Sequence, residues 1–163
     1  MTGIFGSPHF GAELRKTISA VIQRKSDKKF LLVKWNNFDW ISPSVGGIEK
    51  GETPEEAAQR EVFEETGYKA KAVRKLGEVV ESHFFAENKQ VFRHRIDQPV
   101  LLELLSEEPA VVSQEESKLH AVIWLSAKEA LARITHLENK CGICRYLGIE
   151  EPNAGKLTNA DKV

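Results

Sequence analysis

The sequence predicts an α/β (α+β) fold in which helices flank a mixed β-sheet, and three observations support this prediction. The chain has 163 residues, of which 41% are hydrophobic and 29% are charged, as is typical of one soluble domain with its own core. One segment carries complete helix start and stop signals, and several others are rich in β-branched and aromatic residues. The two kinds of segment do not alternate strictly, so a mixed sheet is expected.

Two strands are predicted before the first helix. Residues 17–23 alternate and are β-branched, and Phe30–Trp35 form a second apolar stretch. The polar segment between them, residues 24–29, would form the tip of a hairpin. Residues 46–51 begin with two glycines, which allow backbone angles that other residues avoid, so a turn or a loop close to a phosphate is expected there.

The strongest helix signal covers Pro54–Thr66. Thr53 is a good N-cap, proline occupies the first helical position, and Glu56 completes a Thr-x-x-Glu capping box. Gly67 follows as a C-cap.

Further strands and helices are predicted in the second half of the chain. The strands are expected near residues 73–82, 90–96, 100–105 and 120–125. Two more capping boxes, Ser126 with Glu129 and Thr135 with Glu138, predict one or two helices that end near Gly148. The segment that follows lacks apolar periodicity and is expected to be frayed.

The composition excludes several classes of function. The formal net charge of −1 gives no bulk reason to expect DNA, RNA or a membrane surface as a partner. No apolar run approaches the roughly 20 residues of a membrane helix, and the N-terminus lacks the pattern of a secretion signal. Cys141 and Cys144 are too few for a disulfide framework, and their close spacing fits a reducing compartment. A cytoplasmic protein is therefore expected.

The near-zero net charge conceals an acidic stretch at residues 49–65. This stretch holds seven carboxylates and two cations, so it carries −5 and the rest of the chain carries +4. At 100° per residue, Glu61, Glu64 and Glu65 lie within about a 100° arc of one helix face, where they repel one another. A solvated helix face is the simpler explanation, but the apolar Val62 and Phe63 between them indicate a docked helix. A divalent cation would convert the repulsion into binding.

The ligand types narrow the choice of cation. Oxygen ligands alone favour Mg²⁺ or Mn²⁺ over zinc, and Mg²⁺ is usually held by one or two carboxylates together with water and substrate phosphates. The chemistry that this suggests is attack of a metal-activated water on phosphorus or another polarised centre.

Residues 46–68 read GGIEKGETPEEAAQREVFEETGY and resemble the signature of the Nudix hydrolases, G-x5-E-x7-R-E-U-x-E-E-x-G-U, where U is a bulky apolar residue. The fixed positions are filled without a gap by Gly46, Glu52, Arg60, Glu61, Val62, Glu64, Glu65 and Gly67. The last U position is Tyr68, where an aliphatic residue is commoner, and Ser44 and Val45 stand where many members have Pro-Gly. The resemblance implies an α/β/α sandwich around a mixed sheet. It extends over residues 14–148, which leaves 1–13 as an N-terminal extension and 149–163 as a frayed tail.

The resemblance also implies a set of metal ligands. Glu61, Glu64 and Glu65 would bind one to three Mg²⁺ or Mn²⁺ ions, and one of them would serve as or orient the general base. The backbone carbonyl of Gly46, or of the residue before it, would add a ligand. A carboxylate often joins this site from a loop before a late strand; Glu115 and Glu116 are the candidates here, and Glu116 is preferred.

The remaining motif residues would support these ligands. Arg60 would hold the glutamates in place and so belongs with Glu61 and Glu64 among the catalytic residues. Glu52 would pair with Arg60 across the junction of loop and helix, and Gly67 would end the helix.

The implied function is that of a metal-dependent hydrolase that cleaves the pyrophosphate of a nucleoside diphosphate linked to another group. The alternative is a catalytically inactive Nudix-like module that binds a nucleotide or a partner. Such modules are expected to lose motif glutamates, and all are present here. The expected substrate is a small nucleotide derivative, and a capped RNA end is the one nucleic-acid substrate left open. The oligomeric state is also left open, with a homodimer as one option.

Other residues give weaker signals for substrate binding. Phe38 and Trp40 precede the motif and could stack on a base, although core packing is the commoner fate of such residues. Arg93 and Arg95 share one face of a strand and could bind phosphates, or they could form a solvated face. His83 could contact the substrate, or it could simply be packed or exposed.

The two cysteines give little evidence of a metal site. Cys141-x-x-Cys144 with His136 supplies three ligands, whereas a structural zinc site needs four. Two thiols packed within a helix are therefore expected.

Overall fold

The structure is a computed structural model, and it describes residues 3–153. The strands in chain order are β1 Ile4–Phe5, β2 Glu13–Val21, β3 Phe30–Trp35, β4 Ile41–Ser42, β5 Val45–Gly47, β6 Ala70–Lys75, β7 Val80–Ala86, β8 Val91–Leu104 and β9 His120–Leu125. The helices are α1 Pro54–Thr66, α2 Gln114–Leu119, α3 Ala127–Arg133 and α4 Cys141–Leu147, and a 3₁₀ turn covers Leu137–Lys140.

The strands form two sheets. The larger sheet has the order β1-β7-β8-β2-β5, and β6 pairs with the part of β8 that β7 leaves free. Because β2 runs parallel to β8 and β1 parallel to β7, while the other pairs are antiparallel, the predicted mixed sheet is confirmed. The smaller sheet is antiparallel, with the order β4-β3-β9.

Helices cover both faces of the larger sheet, as the predicted layered fold requires. Alternate residues of β2 and β8, such as Ile18 and Val100, pack with Val62 of α1. Residues of opposite parity contribute to a second buried cluster, in which Val21 packs with Ile143 of α4. This arrangement places α1 beside the edge strand β5.

Several predicted elements are wrong in their extent. The strand predicted at 73–82 is two strands, β6 and β7, because the chain turns between them at Gly77, where φ is 72°. The strands predicted at 90–96 and 100–105 are one long strand, β8. Pro99 lies between the part of β8 that pairs with β7 and the part that pairs with β6, so its missing N–H is tolerated there.

The predicted hairpin of residues 17–35 exists only at its turn. The N–H of Leu31 donates to the carbonyl of Ile22, and Gln23 bridges Phe30, but β2 and β3 then enter different sheets. Residues 17–21 of β2 and 30–33 of β3 are buried on both faces. Each strand therefore pairs with neighbouring strands in its own sheet, and the two strands separate after the turn.

The later capping boxes differ in outcome. Ser126 and Glu129 form both bonds of the predicted box at the start of α3. The box predicted for Thr135 is wrong, because its hydroxyl accepts a hydrogen bond from the N–H of Ile41 instead. Gly148 ends α4 in the left-handed conformation, as predicted.

Both predicted flanking segments are described in part. In the predicted N-terminal extension, Ile4–Phe5 pair with β7. In the predicted tail, Glu151 accepts a hydrogen bond from Arg145, and residues 154–163 lie outside the described part of the chain. None of the helices among residues 3–153 is long and apolar enough to cross a membrane.

Candidate active site

Helix α1 is fixed at both ends by the caps that its sequence predicts. The Thr53 hydroxyl accepts a hydrogen bond from the N–H of Glu56, and the Glu56 carboxylate accepts one from the N–H of Thr53. At the other end Gly67 has φ of 76°, and a Cβ there would lie 2.2 Å from the carbonyl oxygen of Ala110, so glycine is required. With Val62 fully buried against the sheet, the acidic residues of α1 have a defined position next to β5.

Arg60 is the centre of a polar network between the helix and the preceding loop. Its Nε and one Nη donate to the two carboxylate oxygens of Glu52, at 2.7 and 3.0 Å. The same Nη donates to the carbonyl of Gly47 at 2.9 Å. The other Nη lies 2.7 Å from Glu61 and 3.3 Å from Glu64. The paired contact with Arg60 lowers the pKa of Glu52. Arg60 therefore ties the loop to the acidic face of the helix.

Glu65 is a buried carboxylate with an incomplete set of partners. The residue as a whole is only 7% exposed. One oxygen accepts a hydrogen bond from the Ser44 hydroxyl at 3.1 Å, and the other, Oε2, is buried without a partner among the described residues. Burial, assisted by the charge of Glu61, raises the pKa of Glu65 to about 8. A buried carboxylate in this state is costly unless a cation compensates it.

Gly46 lies directly against the carboxylate of Glu61. A Cβ at Gly46 would lie 1.9 Å from the Glu61 carboxyl carbon, which no side chain could accommodate without displacing it. Burial also raises the pKa of Glu61, although the hydrogen bond from Arg60 opposes this. The glycine thus lets the loop backbone and a motif carboxylate approach closely.

These features fit a divalent cation. The unpartnered Oε2 of Glu65 and the neighbouring carboxylates supply oxygen ligands of the kind that Mg²⁺ and Mn²⁺ prefer, and the glycine at position 46 lets the loop backbone approach the carboxylate of Glu61. Within the described chain, no three of these carboxylates have their oxygens within 4.8 Å of one another. Their mutual repulsion and the hold of Arg60 on Glu61 account for the separation, so a shared cation would require side-chain rotation.

Glu116 lies near the same end of α1. Its carboxylate is 3.8 Å from Nδ1 of His120, and its charge contributes to the raised pKa of Glu65. The other ring nitrogen of His120 lies 2.8 Å from the backbone carbonyl oxygen of Glu65. The structure therefore brings Glu116 into the neighbourhood of the motif glutamates, but the predicted loop is wrong, because Glu116 lies in the first turn of α2.

Comparison with known proteins decides the family. The family model described as the NUDIX domain matches residues 13–143. The chain belongs to the Nudix family. An RNA pyrophosphohydrolase of Photobacterium profundum is 38% identical over 66 residues, which are 40% of this chain and 37% of that protein. The chain spans less than two fifths of the length of the curated relatives that it matches.

Solved structures share the Nudix fold. A NUDIX hydrolase from Nitrosomonas europaea matches with a TM-score of 0.59 at 22% identity, over 88% of this chain and 100% of that chain. The E. coli dihydroneopterin triphosphate pyrophosphohydrolase matches with a TM-score of 0.61 at 23% identity, over 80% of this chain and 93% of that chain. At this level of identity the likeness concerns the fold.

The structure places the two predicted phosphate-binding arginines beside a cavity of about 180 Å³ that adjoins β5. It is lined by Arg15, Thr17, Val45, Phe84, Arg93 and Arg95. The guanidinium of Arg95 is buried, and its donors are engaged by Thr17, Asp97 and Asn139 at 2.8–3.0 Å. Arg95 therefore serves to join the sheet to the 3₁₀ turn, and a solvated face is excluded for it. Arg93 is 3.7 Å from Glu13, a longer contact that leaves its donors less engaged.

The other predicted substrate-binding residues lie elsewhere. Phe38 and Trp40 are about 40% exposed, stack on each other at 4.7 Å, and do not line this cavity. Trp40 also packs edge-on against His136. His83 is on the opposite face of the sheet, where it stacks on His94 at 4.3 Å. Burial lowers the pKa of His83.

Sequence reasoning missed three residues of this region. Ser44 binds Glu65, His120 binds the end of α1, and Arg15 lies beside Gly47, where a Cβ would be 3.2 Å from its guanidinium. One sequence feature indicated the role of Ser44, namely that it stands two residues before the motif residue Gly46. The other two depend on strand pairing that the sequence does not reveal.

Cys141 and Cys144 are free thiols buried in α4, as expected. Burial raises the pKa of Cys141 to about 12. Within residues 3–153, neither thiol lies close enough to two other metal-ligand side chains to form a group of three.

Proposed function

We propose that this chain is a Nudix pyrophosphohydrolase that cleaves the pyrophosphate of a nucleoside diphosphate derivative with the help of Mg²⁺ or Mn²⁺. The observation that carries the proposal is the buried, half-partnered carboxylate of Glu65, close to Glu61 and Gly46. A buried carboxyl with one unpartnered oxygen is costly to a fold, and its ionised form would need a cation to compensate it.

The proposed ligands come from three parts of the fold. Glu61, Glu64 and Glu65 of α1 would hold the cation together with the carbonyl of Gly46 and the carboxylate of Glu116. When bound, the cation supplies positive charge that stabilises phosphate oxygens and favours deprotonation of water near neutral pH.

Of the two glutamates predicted to be catalytic, Glu61 and Glu64, the second is better placed to act as the general base. Its side chain is 53% exposed and has one contact of 3.3 Å with Arg60, so it can accept a proton from a water molecule. Glu61 is held more closely by Arg60, at 2.7 Å. Arg60 would act by positioning both carboxylates, and Glu52 by positioning Arg60.

The substrate is proposed to lie across β5, between the acidic residues and the cavity on the other face. Arg15 and Arg93 would bind phosphate oxygens there, and the exposed ring of Phe84 would offer a surface for a base. The cavity of about 180 Å³ is smaller than the roughly 300–1,000 Å³ of a typical ligand pocket, so it would hold only part of a nucleotide derivative. The relative named RNA pyrophosphohydrolase makes a 5′-phosphorylated or capped RNA end the second substrate to examine. Free thiols at Cys141 and Cys144 are in keeping with a cytoplasmic location.

The test is product release from a panel of nucleoside diphosphate derivatives, nucleoside triphosphates and capped RNA, with Mg²⁺ or Mn²⁺. We expect wild type to turn over at least one substrate, and Glu64→Gln and Glu65→Gln to lose at least about 100-fold in rate. Glu55→Gln is the matched control, because Glu55 is in the first turn of the same helix, away from the proposed ligands.

Two results would count against hydrolysis. If wild type is as inert as the two variants across the panel while still binding a nucleotide, the chain is a catalytically inactive Nudix-like module. If turnover persists in a chelator, the dependence on a cation is wrong.

A further inference from the structure

A second cluster of metal-ligand side chains lies outside the Nudix motif, on the β7–β8 pair. His83 and His94 are directly opposite each other in the antiparallel register, and Glu81 precedes His83 by two residues on the same face. One ligand atom from each of the three lies within 4.8 Å of the others. Among residues 3–153 this is the one group of three that meets this distance.

The contacts within the cluster converge on the carboxylate of Glu81. Nε2 of His94 lies 2.5 Å from its Oε1, and Nε2 of His83 lies 4.0 Å from the same oxygen. The two imidazole rings stack at 4.3 Å with an angle of 18° between their planes. Two imidazole nitrogens and a carboxylate oxygen therefore lie close together, and rotation about their side-chain bonds that separates the stacked rings would direct all three at one ion.

One histidine nitrogen of this cluster has no hydrogen-bond partner among the described residues. The His83 side chain is 8% exposed, and its Nδ1 is buried without a partner in the described part of the chain. A buried polar atom without a partner lowers the stability of a fold. Glu81 and His94 are about one third exposed, so the cluster is open to solvent on one side and an ion could enter it.

The ligand types differ from those of the Nudix site. The motif offers oxygen atoms, whereas this cluster offers two imidazole nitrogens and one carboxylate oxygen, a set that suits Zn²⁺ and similar transition metals. Three protein ligands leave one position of a tetrahedral ion open.

We propose that Glu81, His83 and His94 form a second metal site, which binds one Zn²⁺-type transition-metal ion independently of the Nudix site. The site would join β7 to β8 and, through β7, hold the short strand β1, since Ile4 pairs with Glu81. Its ligands lie on β7 and the central strand β8, which carry none of the motif carboxylates, and three protein ligands would leave the ion one position open to water or a small ligand.

The direct test is a titration of the wild-type chain with Zn²⁺ in excess Mg²⁺, followed by the imidazole nitrogen resonances in NMR. The chain has five histidines. Of these, His136, which packs edge-on against Trp40, serves as the internal control. We expect the nitrogens of His83 and His94 to shift together and to saturate at one equivalent of Zn²⁺. Shifts that leave His83 and His94 unchanged, or no shift at all, would overturn the proposal.

Variants give a second readout. Glu81→Gln and His94→Gln should each weaken Zn²⁺ affinity, measured calorimetrically, by at least about tenfold, since even an outer-shell partner of a ligand is worth about 10–100-fold. His136→Gln, outside the cluster, should bind as wild type does. Unchanged affinity in both cluster variants would refute the site. Far-UV circular dichroism checks that each variant is folded, and the wild-type titration decides the question if one is not.

Discussion

Replacing Glu65 with glutamine should stabilise the cation-free protein at neutral and higher pH. Burial raises the pKa of Glu65 from 4.5 to about 8 in the folded chain. Because the unfolded chain releases this proton more readily, the carboxylate lowers stability progressively as the pH rises from about 4.5 to about 8. Glutamine has nearly the same shape as glutamate and does not ionise, so the variant should lose this dependence of stability on pH.

The size of the effect follows from the two pKa values. Each pKa unit corresponds to about 1.4 kcal/mol. The gap between 4.5 and about 8 therefore gives at most about 5 kcal/mol above pH 8, and about 3 kcal/mol at pH 7. Below pH 4.5 the carboxyl is protonated in both states, so wild type and variant should differ little there.

The assay is urea unfolding of wild type, Glu65→Gln and Glu55→Gln at pH 5 and pH 8.5, in the presence of a chelator. The free energy of unfolding of wild type should fall relative to that of Glu65→Gln as the pH rises, and Glu55→Gln should follow wild type. Added Mg²⁺ should restore part of the wild-type stability and leave Glu65→Gln nearly unchanged. The reasoning is refuted if wild type and Glu65→Gln change in parallel with pH.

Three further predictions concern the same site and the core. Arg60→Lys keeps the charge but loses the paired contact with the loop carboxylate, so urea unfolding should show a loss of about 1–3 kcal/mol; a change below about 0.5 kcal/mol would contradict the network. Gly46→Ala should displace Glu61 and lower turnover by at least about 100-fold, whereas Gly47→Ala, whose Cβ meets only the tip of a flexible arginine, should be milder; equal losses would contradict the close approach. The thiol of Cys141 has a pKa of about 12 in the folded protein, so at pH 8 only about one folded molecule in 10⁴ carries the reactive thiolate. A thiol reagent should therefore modify Cys141 only after unfolding. Fast reaction of the native protein would contradict the burial of this thiol.

Local signals made α1 predictable in full. Thr53, Glu56 and Gly67 fix its ends within a few residues of sequence, and the structure contains each of these contacts. Glu64 follows Arg60 by four residues, a spacing that brings two helix side chains together, and they lie 3.3 Å apart. The contact between Arg60 and Glu61 was expected only from the family resemblance. Where the determining contacts are close in sequence, residue type and spacing were sufficient.

Long-range pairing was not predictable. In the sequence, Arg95 looks like a surface cation on an alternating strand. In the structure it is buried and donates a hydrogen bond to Asn139, which is 44 residues away. Thr135 has the sequence of an N-cap, but the N–H of Ile41 competes for its hydroxyl. The pairing of His83 with His94 depends on a hairpin whose strand boundaries were predicted wrongly. In each case the partner comes from another element of the fold.

The most direct test of the acidic site is Mn²⁺ binding followed by loss of the free-ion signal in electron paramagnetic resonance. Wild type should bind Mn²⁺, and Glu61→Gln, Glu64→Gln and Glu65→Gln should each weaken the affinity by at least about tenfold, with Glu55→Gln equal to wild type. If all five proteins bind Mn²⁺ with the same affinity, or wild type binds none, the motif glutamates do not form the proposed metal site.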